Sequence, residues 1–412
     1  MRQVTAIIVG GGLRGGFAYA PYAVSHPHEF KIVGVAEPIK ERREFLKEKY
    51  QIDEAHCFES WEQILELPKF ADAAMICTQD QMHFEPAMMA LEQGYHLLLE
   101  KPIAPTEEEC VAIADKATEK DLHVVVCHVL RYTTLFKTIK KLLDGGRIGQ
   151  VVAMNHNENV NHIHYSHSFV RGNWGNSKTS TPMILAKCCH DLDIIQWLIG
   201  SRCTKVSSFG ELTYFKAKNA PEGATMRCQD GCPHSATCPY DAPTVYVTEK
   251  KWGASAFCME PNNSEKVLAA LKENDYGRCV FHSDNDVVDH QIVTLNFENG
   301  VTVSLTMCAF TKDFTRTLKI MGTQGELRAI FDNKPQIEIH DFITGQTDII
   351  YPSAVVNGHG GGDTGLMRDF VRLIATGERS TELTDIQISV ASHVLAFAAE
   401  ASRVTGKTML FE

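Results

Sequence analysis

Short apolar runs alternate with amphipathic stretches through the first third of the chain. Each run has the length of a buried strand, and each stretch between the runs carries apolar residues at helical spacing. Strands that alternate with helices in this way pair in parallel through right-handed crossovers, so the pattern predicts a doubly wound α/β sheet. The predicted strands are residues 6–9, 31–36, 73–78, 96–99 and 123–128.

The pattern changes near residue 130, where we expect a domain boundary. Beyond it, apolar and polar residues alternate with period two, as in antiparallel strands that bury one face. The clearest case is a hairpin in which residues 292–297 and 301–307 flank an Asn-Gly turn. We therefore expect a doubly wound domain over residues 1–130, followed over residues 131–412 by an α+β domain with a large, mostly antiparallel open sheet. An irregular insert with several cysteines occupies about residues 217–262.

A glycine-rich turn follows the first strand. The pattern G-x-G-x-x-G falls on Gly10, Gly12 and Gly15. Gly10 allows a tight turn from strand to helix, Gly12 lets the backbone approach a pyrophosphate, and Gly15 lets the next helix pack closely on the strand. The N–H groups at the start of that helix favour bound phosphate. The turn therefore predicts a dinucleotide-binding Rossmann domain, with Leu13 and Arg14 also in contact with the cofactor.

Glu37 ends the second strand, about 20 residues past the glycines. A carboxylate there can hold both ribose hydroxyls of NAD and would repel the extra phosphate of NADP, so we predict NAD. Ligands of open α/β sheets bind beyond the carboxyl ends of the strands, an edge that also holds His128. The other predicted cofactor-binding residues at this edge are Thr78, Gln79, His83, Glu100 and Lys101.

The sequence resembles the Gfo/Idh/MocA oxidoreductases at two places. The first is Glu100-Lys101-Pro102, which ends the fourth strand behind an N-terminal glycine fingerprint. The second is H-x-x-D-x-x-x-W-L-x-G, which begins at His190. The resemblance implies that Lys101 reaches the reacting hydroxyl or carbonyl beside the nicotinamide and that His190 is the catalytic acid/base. It also implies a homo-oligomer, a dimer or tetramer, that pairs open sheet faces.

One position departs from the family's pattern. Many members carry an aspartate four residues before the catalytic histidine, where this chain has Ala186. Lys187 lies three residues before His190, so a helix would place both side chains on one face. We therefore expect Lys187 to replace the missing group, in a catalytic site with two lysines.

Histidines are concentrated between residues 156 and 174. On a strand, His164 would point to one face and His167 to the other unless the chain bends. A single such histidine is more often structural, but four within twelve residues, beside an arginine and a tryptophan, are typical of a pocket for a polyhydroxyl compound. The ring of Trp174 suits the apolar face of a sugar. The predicted substrate-binding residues are His164, His167, Arg171, Trp174, Asp193 and His359, and Asp363 is a further candidate.

Composition excludes several partners. A formal net charge of −11 leaves no basic excess for nucleic-acid phosphates. No apolar run approaches the ~20 residues that a membrane span needs. The chain starts almost directly on a strand, and its 13 cysteines are spread over predicted strands and helices, so we expect a cytoplasmic protein with mostly free thiols.

One group of cysteines is an exception to this spread. Cys228, Cys232 and Cys238 lie close together in the insert and could supply thiolates to a zinc ion. Cys279 is our choice for the fourth ligand, with His234 and Cys258 as alternatives. The other interpretation is a loop with three reduced thiols.

These observations together predict an enzyme that oxidises a secondary hydroxyl of a sugar, sugar derivative or cyclitol by hydride transfer to NAD. An alternative is a redox-neutral NAD-dependent glycosidase, which oxidises its substrate transiently and eliminates the glycosidic substituent. A sensor that binds NAD without turnover would not need both Lys101 and His190.

Overall fold

A six-stranded parallel sheet forms the first half of the computed structural model, which describes residues 2–353 and 358–411. The strand order is β3-β2-β1-β4-β5-β6, so the doubly wound arrangement expected from the sequence is confirmed. The strands are β1 (Val4–Val9), β2 (Phe30–Ala36), β3 (Cys57–Phe58), β4 (Ala73–Ile76), β5 (His96–Leu99) and β6 (Val124–Val126).

Helices cover both faces of this sheet, which explains why its strands are apolar throughout. On one face Ile8 packs in a cluster with Leu46, and on the other Ile7 packs with Leu91 and Ile113. The α-helices of this half are α1 (Tyr22–Ser25), α2 (Lys40–Tyr50), α3 (Trp61–Leu65), α4 (Phe84–Glu92) and α5 (Glu107–Glu119). The glycine turn opens into a π-helical segment, Leu13–Tyr19.

The second half is built on a nine-stranded, mostly antiparallel sheet, as predicted. Its order is β14-β13-β12-β11-β7-β10-β9-β8-β15, and β7 and β10 are its one parallel pair in the described ranges. The strands are β7 (Val151–Asn159), β8 (Cys203–Glu211), β9 (His290–Phe297), β10 (Thr302–Cys308), β11 (Thr315–Gly322), β12 (Gly325–Phe331), β13 (Gln336–Asp341), β14 (Thr347–Ile350) and β15 (Met409–Leu410).

The helices of the second half pack on both sheets. They are α6 (Thr134–Asp144), α7 (His162–Tyr165), α8 (Met183–Ala186), α9 (Cys189–Ile199), α10 (Ser264–Glu273), α11 (Gly358–Thr376) and α12 (Ile386–Thr405). Leu366 and Phe370 of α11 pack in the same core as Ile8 of the first sheet, and the N–H of Val126 donates to the carbonyl of Thr384. The chain after residue 358 thus returns to the first sheet and packs across the predicted domain boundary near residue 130. Across both described ranges, no helix is long and apolar enough to cross a bilayer.

The segment with the histidines is helical, where we considered a strand. Asn161 caps α7, because its side chain accepts the N–H groups of Ile163 and His164 at 2.8 and 3.1 Å. A π-helical turn, Ser166–Arg171, continues the segment. Its curvature allows His164 and His167 to face one cavity, whereas a strand would separate them.

The glycine turn gives a test of the packing. A Cβ atom at Gly15 would lie 2.3 Å from the carbonyl oxygen of Gly10, whereas one at Gly12 would meet nothing closer than Arg42 at 4.0 Å. We expect Gly15→Ala to lower the free energy of unfolding by about 1–3 kcal/mol or more, because the backbone must shift. The matched variant Gly12→Ala should unfold like the parent protein in denaturant titrations. Equal stability of the two variants would contradict the packing described here.

Candidate active site

A cleft of about 410 Å³ lies between the carboxyl edge of the first sheet and the second half of the chain. The predicted residues that line it from the first half are Gly12, Leu13, Arg14, Thr78, Gln79, Glu100 and Lys101. Those that line it from the second half are His164, His167, Trp174, Lys187, His190 and His359. The lysine that follows β5 and the histidine of α9 therefore face one cavity.

The glycine turn has the geometry that a dinucleotide needs. Gly10 has a φ of +93°, and a Cβ atom there would lie 2.5 Å from the carbonyl oxygen of Cys77. Gly10 and Gly15 are therefore required by the tight turn itself. The space beside Gly12 is open on the cleft side, which leaves room for a pyrophosphate against the bare backbone.

Glu37 lies behind this turn and not in the wall of the cleft. Its Oε2 accepts the N–H of Gly11 at 2.8 Å, and its Oε1 accepts the N–H of Ile39 at 3.0 Å. The carboxylate is buried, so these two bonds fix the glycine turn to the end of β2.

A buried ion cluster forms the wall beside the glycine turn. Arg14 donates from Nε to Glu100 at 2.7 Å and from its terminal nitrogen to Asp363 at 2.7 Å. His359 Nδ1 lies 3.2 Å from the same Asp363 carboxylate. Burial acts to raise the pKa of Glu100, but the charges of Arg14 and Lys101 outweigh it and hold that pKa below its ordinary value. Arg14 thus bonds to two carboxylates of the protein and also lines the cleft, where we predict it as a cofactor contact.

Lys101 is held at the end of β5 by contacts on both sides. Its Nζ donates to the carbonyl of Ala186 at 2.7 Å. His83 lies beneath the loop, with Nδ1 2.7 Å from the carbonyl oxygen of Pro102 and Nε2 3.2 Å from that of Thr78. His83 does not line the cleft, where we predicted that it would contact the cofactor. It supports the loop that carries Lys101 instead.

His190 lies in the first turn of α9, which ends at Gly200 in the left-handed conformation. Its ring lines the cleft, and its Nδ1 is buried without a hydrogen-bond partner in the described chain, which leaves Nε2 as the nitrogen on the cleft side. Burial lowers the pKa of His190 well below its ordinary value, and the positive charge of Lys101 adds to this effect. The imidazole is therefore neutral and able to accept a proton at pH 7.

Lys187 lines the cleft together with His190, and its ammonium forms an ion pair with Glu158. Its Nζ lies 3.4 Å from Glu158 Oε1 and 4.6 Å from the ring centroid of Phe314. The other oxygen of Glu158 forms an ion pair with Arg316 at 2.7 Å. Burial lowers the pKa of Lys187, whereas the Glu158 carboxylate opposes this shift.

Aromatic and imidazole rings form the opposite wall. The His164 ring stacks on Trp252 with centroids 4.6 Å apart, and the Lys101 ammonium lies 5.7 Å from the Trp174 ring. Burial lowers the pKa of His167 to about 3 and the pKa of His164 well below its ordinary value. Neutral imidazoles and flat rings give this wall both hydrogen-bonding atoms and apolar surface.

Two predicted substrate-binding residues lie outside the cleft. Asp193 accepts two hydrogen bonds from Arg131, at 2.6 and 2.7 Å, and both side chains are buried. Arg171 donates to the carbonyls of Arg278 and Tyr240, each at 2.7 Å. Both side chains form hydrogen bonds within the protein interior, so they stabilise the fold and do not line the pocket.

The four cysteines predicted to bind zinc are partly buried, and none is in a disulfide. Cys228 and Cys279 lie on either side of a short backbone bridge, and Arg171 donates to the Cys228 sulfur at 3.4 Å. Cys232 and Cys238 follow in the same insert. Within residues 2–353 and 358–411, no group of three or more His, Cys, Asp or Glu side chains is arranged to hold a metal ion. The structure therefore provides no ligand set for zinc.

Sequence reasoning missed several residues of the cleft. Asp80, in the loop after β4, accepts from the indole nitrogen of Trp174 at 3.0 Å. Trp252, Tyr276 and Phe314 also line the cavity. The place of Asp80 at the strand edge was a usable signal, whereas the three aromatic residues lie in irregular segments with no local motif.

Known proteins resemble this chain in sequence and fold. The scyllo-inositol 2-dehydrogenase (NAD(+)) of Bacillus subtilis (strain 168) is 27% identical over 343 residues, which cover 73% of this chain and 93% of that protein. Two crystal structures share the fold: aldose-aldose oxidoreductase from Caulobacter crescentus, complexed with glycerol, and the WlbA dehydrogenase from Chromobacterium violaceum, with NADH and UDP-GlcNAcA. The first has a TM-score of 0.70 and 14% identity and covers 100% of both chains. The second has a TM-score of 0.68 and 15% identity and covers 100% of this chain and 97% of that chain.

Family comparison covers nearly the whole sequence. Residues 4–128 match the oxidoreductase family domain described as an NAD-binding Rossmann fold, and residues 140–407 match the C-terminal alpha/beta domain of the same family. The predicted family is thereby confirmed: the chain belongs to the Gfo/Idh/MocA family and is an NAD(P)-dependent oxidoreductase.

Proposed function

We propose that the protein oxidises a secondary hydroxyl of a sugar, a sugar derivative or a cyclitol and passes the hydride to NAD⁺. The observation that carries this proposal is the convergence of Lys101 and His190 on one cleft beside the glycine turn. An ammonium that stabilises negative oxygen and a neutral imidazole that accepts a proton are the two groups that alcohol oxidation requires.

Each of these residues has a distinct task in the proposed reaction. His190 accepts the hydroxyl proton at Nε2, and the Lys101 ammonium donates to the same oxygen as negative charge develops. NAD⁺, held beside the glycine turn, would supply the hydride acceptor for this reaction. Lys187, which also faces the cleft, donates to a second oxygen of the substrate and so helps to orient the reacting carbon.

The wall of the cleft and the relatives both support a sugar or a cyclitol. Trp174 and Trp252 offer flat apolar faces, and the neutral rings of His164 and His167 offer hydrogen-bonding atoms beside them. The relatives described above act on scyllo-inositol or aldoses, or were crystallised with a nucleotide sugar acid.

Glu37 supports NAD over NADP. Each of its oxygens accepts one backbone N–H, and a carboxylate oxygen has a second lone pair available for a ribose hydroxyl. The same buried negative charge disfavours a phosphate at that place.

The open face of the second sheet supports self-association. It carries small polar side chains, and Asn155 donates to Ser304 across the face at 2.6 Å. We expect a cytoplasmic dimer or tetramer in which this face pairs with the same face of another copy. Light scattering of the purified protein would measure the mass of this assembly.

The function is tested with a panel of free sugars, cyclitols and aryl glycosides, in which NADH and released aglycone are recorded together. We expect stoichiometric NADH from at least one free sugar or cyclitol. Aglycone release without net NADH would establish the redox-neutral glycosidase instead. Neither product from any compound would contradict both reactions.

The two catalytic residues give a prediction for the best substrate of that panel. Lys101→Met and His190→Phe should each lower kcat/KM by about 100-fold or more, because each removes a group that acts on the reacting oxygen. Since burial lowers the pKa of His190 well below its ordinary value, the base is present at pH 7, and the rate should fall only at a pH well below 6.5. The exposed variant His28→Asn is the control, and an acid limb that persists in His190→Phe would contradict the assignment.

Cofactor preference gives a second prediction. Glu37→Ala should weaken the binding of NAD⁺ more than that of NADP⁺. The ratio of kcat/KM with NAD⁺ to kcat/KM with NADP⁺ should therefore fall about tenfold, as expected for the loss of one charged contact. Glu41→Ala removes the same charge from an exposed site on α2 and should leave the ratio unchanged. Thermal unfolding of both variants checks that the glycine turn remains folded.

A further inference from the structure

We propose that His128 is the positioning partner of His190, which it holds in the tautomer that leaves Nε2 free to act as the base. In this arrangement the Nδ1–H of His190 donates to a ring nitrogen of His128. The inference rests on the proposed function, since it assigns a residue that acts through the proposed base.

The two rings are adjacent and lack other partners. His128 follows β6 and has no exposed surface. Neither of its ring nitrogens, nor Nδ1 of His190, has a hydrogen-bond partner in the described part of the chain. The ring centroids are 5.6 Å apart, with the planes at 76°.

This isolation has an energetic cost that a bond between the rings would remove. A neutral imidazole always carries one N–H, and a buried donor without an acceptor costs about 1–3 kcal/mol. Hydrogen bonds between catalytic groups are often long in the free protein and shorten when the substrate complex forms. A small rotation of either ring would therefore satisfy two buried groups at once.

The other imidazole beside His190 is that of His359, whose centroid lies farther away, at 6.3 Å, and whose Nδ1 lies 3.2 Å from the Asp363 carboxylate. The groups whose charges act most strongly on His190 are Lys101, His128, Arg316 and His359, and none of these is a carboxylate. Lys101 already donates to the carbonyl of Ala186. Lys187, our original choice to replace the missing aspartate, is a donor beside Glu158 and cannot accept the Nδ1 proton.

The surroundings of His128 leave it available to His190. The other charged and titratable groups that face it are Lys101, Glu100, Arg131, Asp193 and His393. Arg131 and Asp193 bind each other. His393 is satisfied, because its Nε2 accepts the N–H of Ile103 and its Nδ1 lies 2.9 Å from the carbonyl of Ser389. Burial lowers the pKa of His128 to about 4, so its ring is a neutral acceptor at pH 7.

The proton balance of the reaction is unchanged by this partner. The hydroxyl proton of the substrate moves to Nε2 of His190, and the hydride leaves the carbon for NAD⁺. His190 is then an imidazolium whose Nδ1–H bond to His128 stabilises the new charge. The proton later leaves Nε2 for solvent, and His128 keeps its own proton throughout.

The tautomer of His190 can be measured without turnover. In protein labelled with ¹⁵N-histidine, two-bond ¹H–¹⁵N correlations distinguish the Nδ1–H and Nε2–H forms, and a His190→Gln sample assigns the signals. We expect the Nδ1–H form in the parent protein and in His128→Asn, whose amide oxygen can accept the bond. His128→Leu should shift His190 toward the other form. An Nε2–H tautomer in the parent protein, or no change in His128→Leu, would overturn the proposal.

Kinetics give an independent readout with the substrate found in the panel. His128→Leu should lower kcat about 10- to 100-fold with little change in KM, and His128→Asn should recover part of that loss. Equal loss in the two variants would indicate packing alone and overturn the proposal, as would an unchanged kcat in His128→Leu. If His128→Leu does not fold, the tautomers of the parent protein and of His128→Asn decide. A parent protein that turns over no compound contradicts the proposed function, and the tautomer measurement still decides the role of His128.

Discussion

The buried carboxylate of Glu100 is the interaction on which the cleft depends. One oxygen accepts from Arg14 of the glycine turn at 2.7 Å, and the other accepts the backbone N–H of Lys101 at 2.9 Å. The same side chain therefore fixes the phosphate-facing loop and the lysine relative to each other. Loss of one member would leave a buried charge without its partner, which typically costs about 3–5 kcal/mol. Through Arg14 and Asp363 the cluster also attaches α11, so the return of the chain to the first sheet depends on it.

The aromatic wall is attached to the first sheet by polar bonds. Asp80 accepts from the indole nitrogen of Trp174 and from the hydroxyls of Ser180 and Thr181, at 3.0, 2.9 and 3.1 Å. The bond from Lys101 to the carbonyl of Ala186 joins the halves at a second point. These contacts set the distance between the aromatic wall and Lys101, so the shape of the cleft follows from how the two halves meet.

Local pattern was sufficient for most of the fold and for the residues that motifs mark. Residues close together in sequence determine the strand lengths and the Asn-Gly hairpin. They also mark the glycine turn, Gly10–Gly15, and the motifs that contain Lys101 and His190. The misplaced residues fail for a shared reason. Arg171 and Asp193 are charged side chains whose partners, Tyr240 and Arg131, lie about 60–70 residues away, and no spacing rule identifies such pairs. Trp252, Tyr276 and Phe314 were missed because no local motif marks them. Among the described residues, no group of three or more side chains is arranged to hold the predicted zinc ion.

A histidine base that bonds to a second imidazole has a lower proton affinity than one that bonds to a carboxylate. A carboxylate would raise the proton affinity of His190, whereas its present neighbours, Lys101 and Arg316 among them, all lower it. A base of low proton affinity holds the substrate proton weakly and is a strong acid once protonated. The same histidine therefore suits oxidation of an alcohol and, in reverse, reduction of a carbonyl.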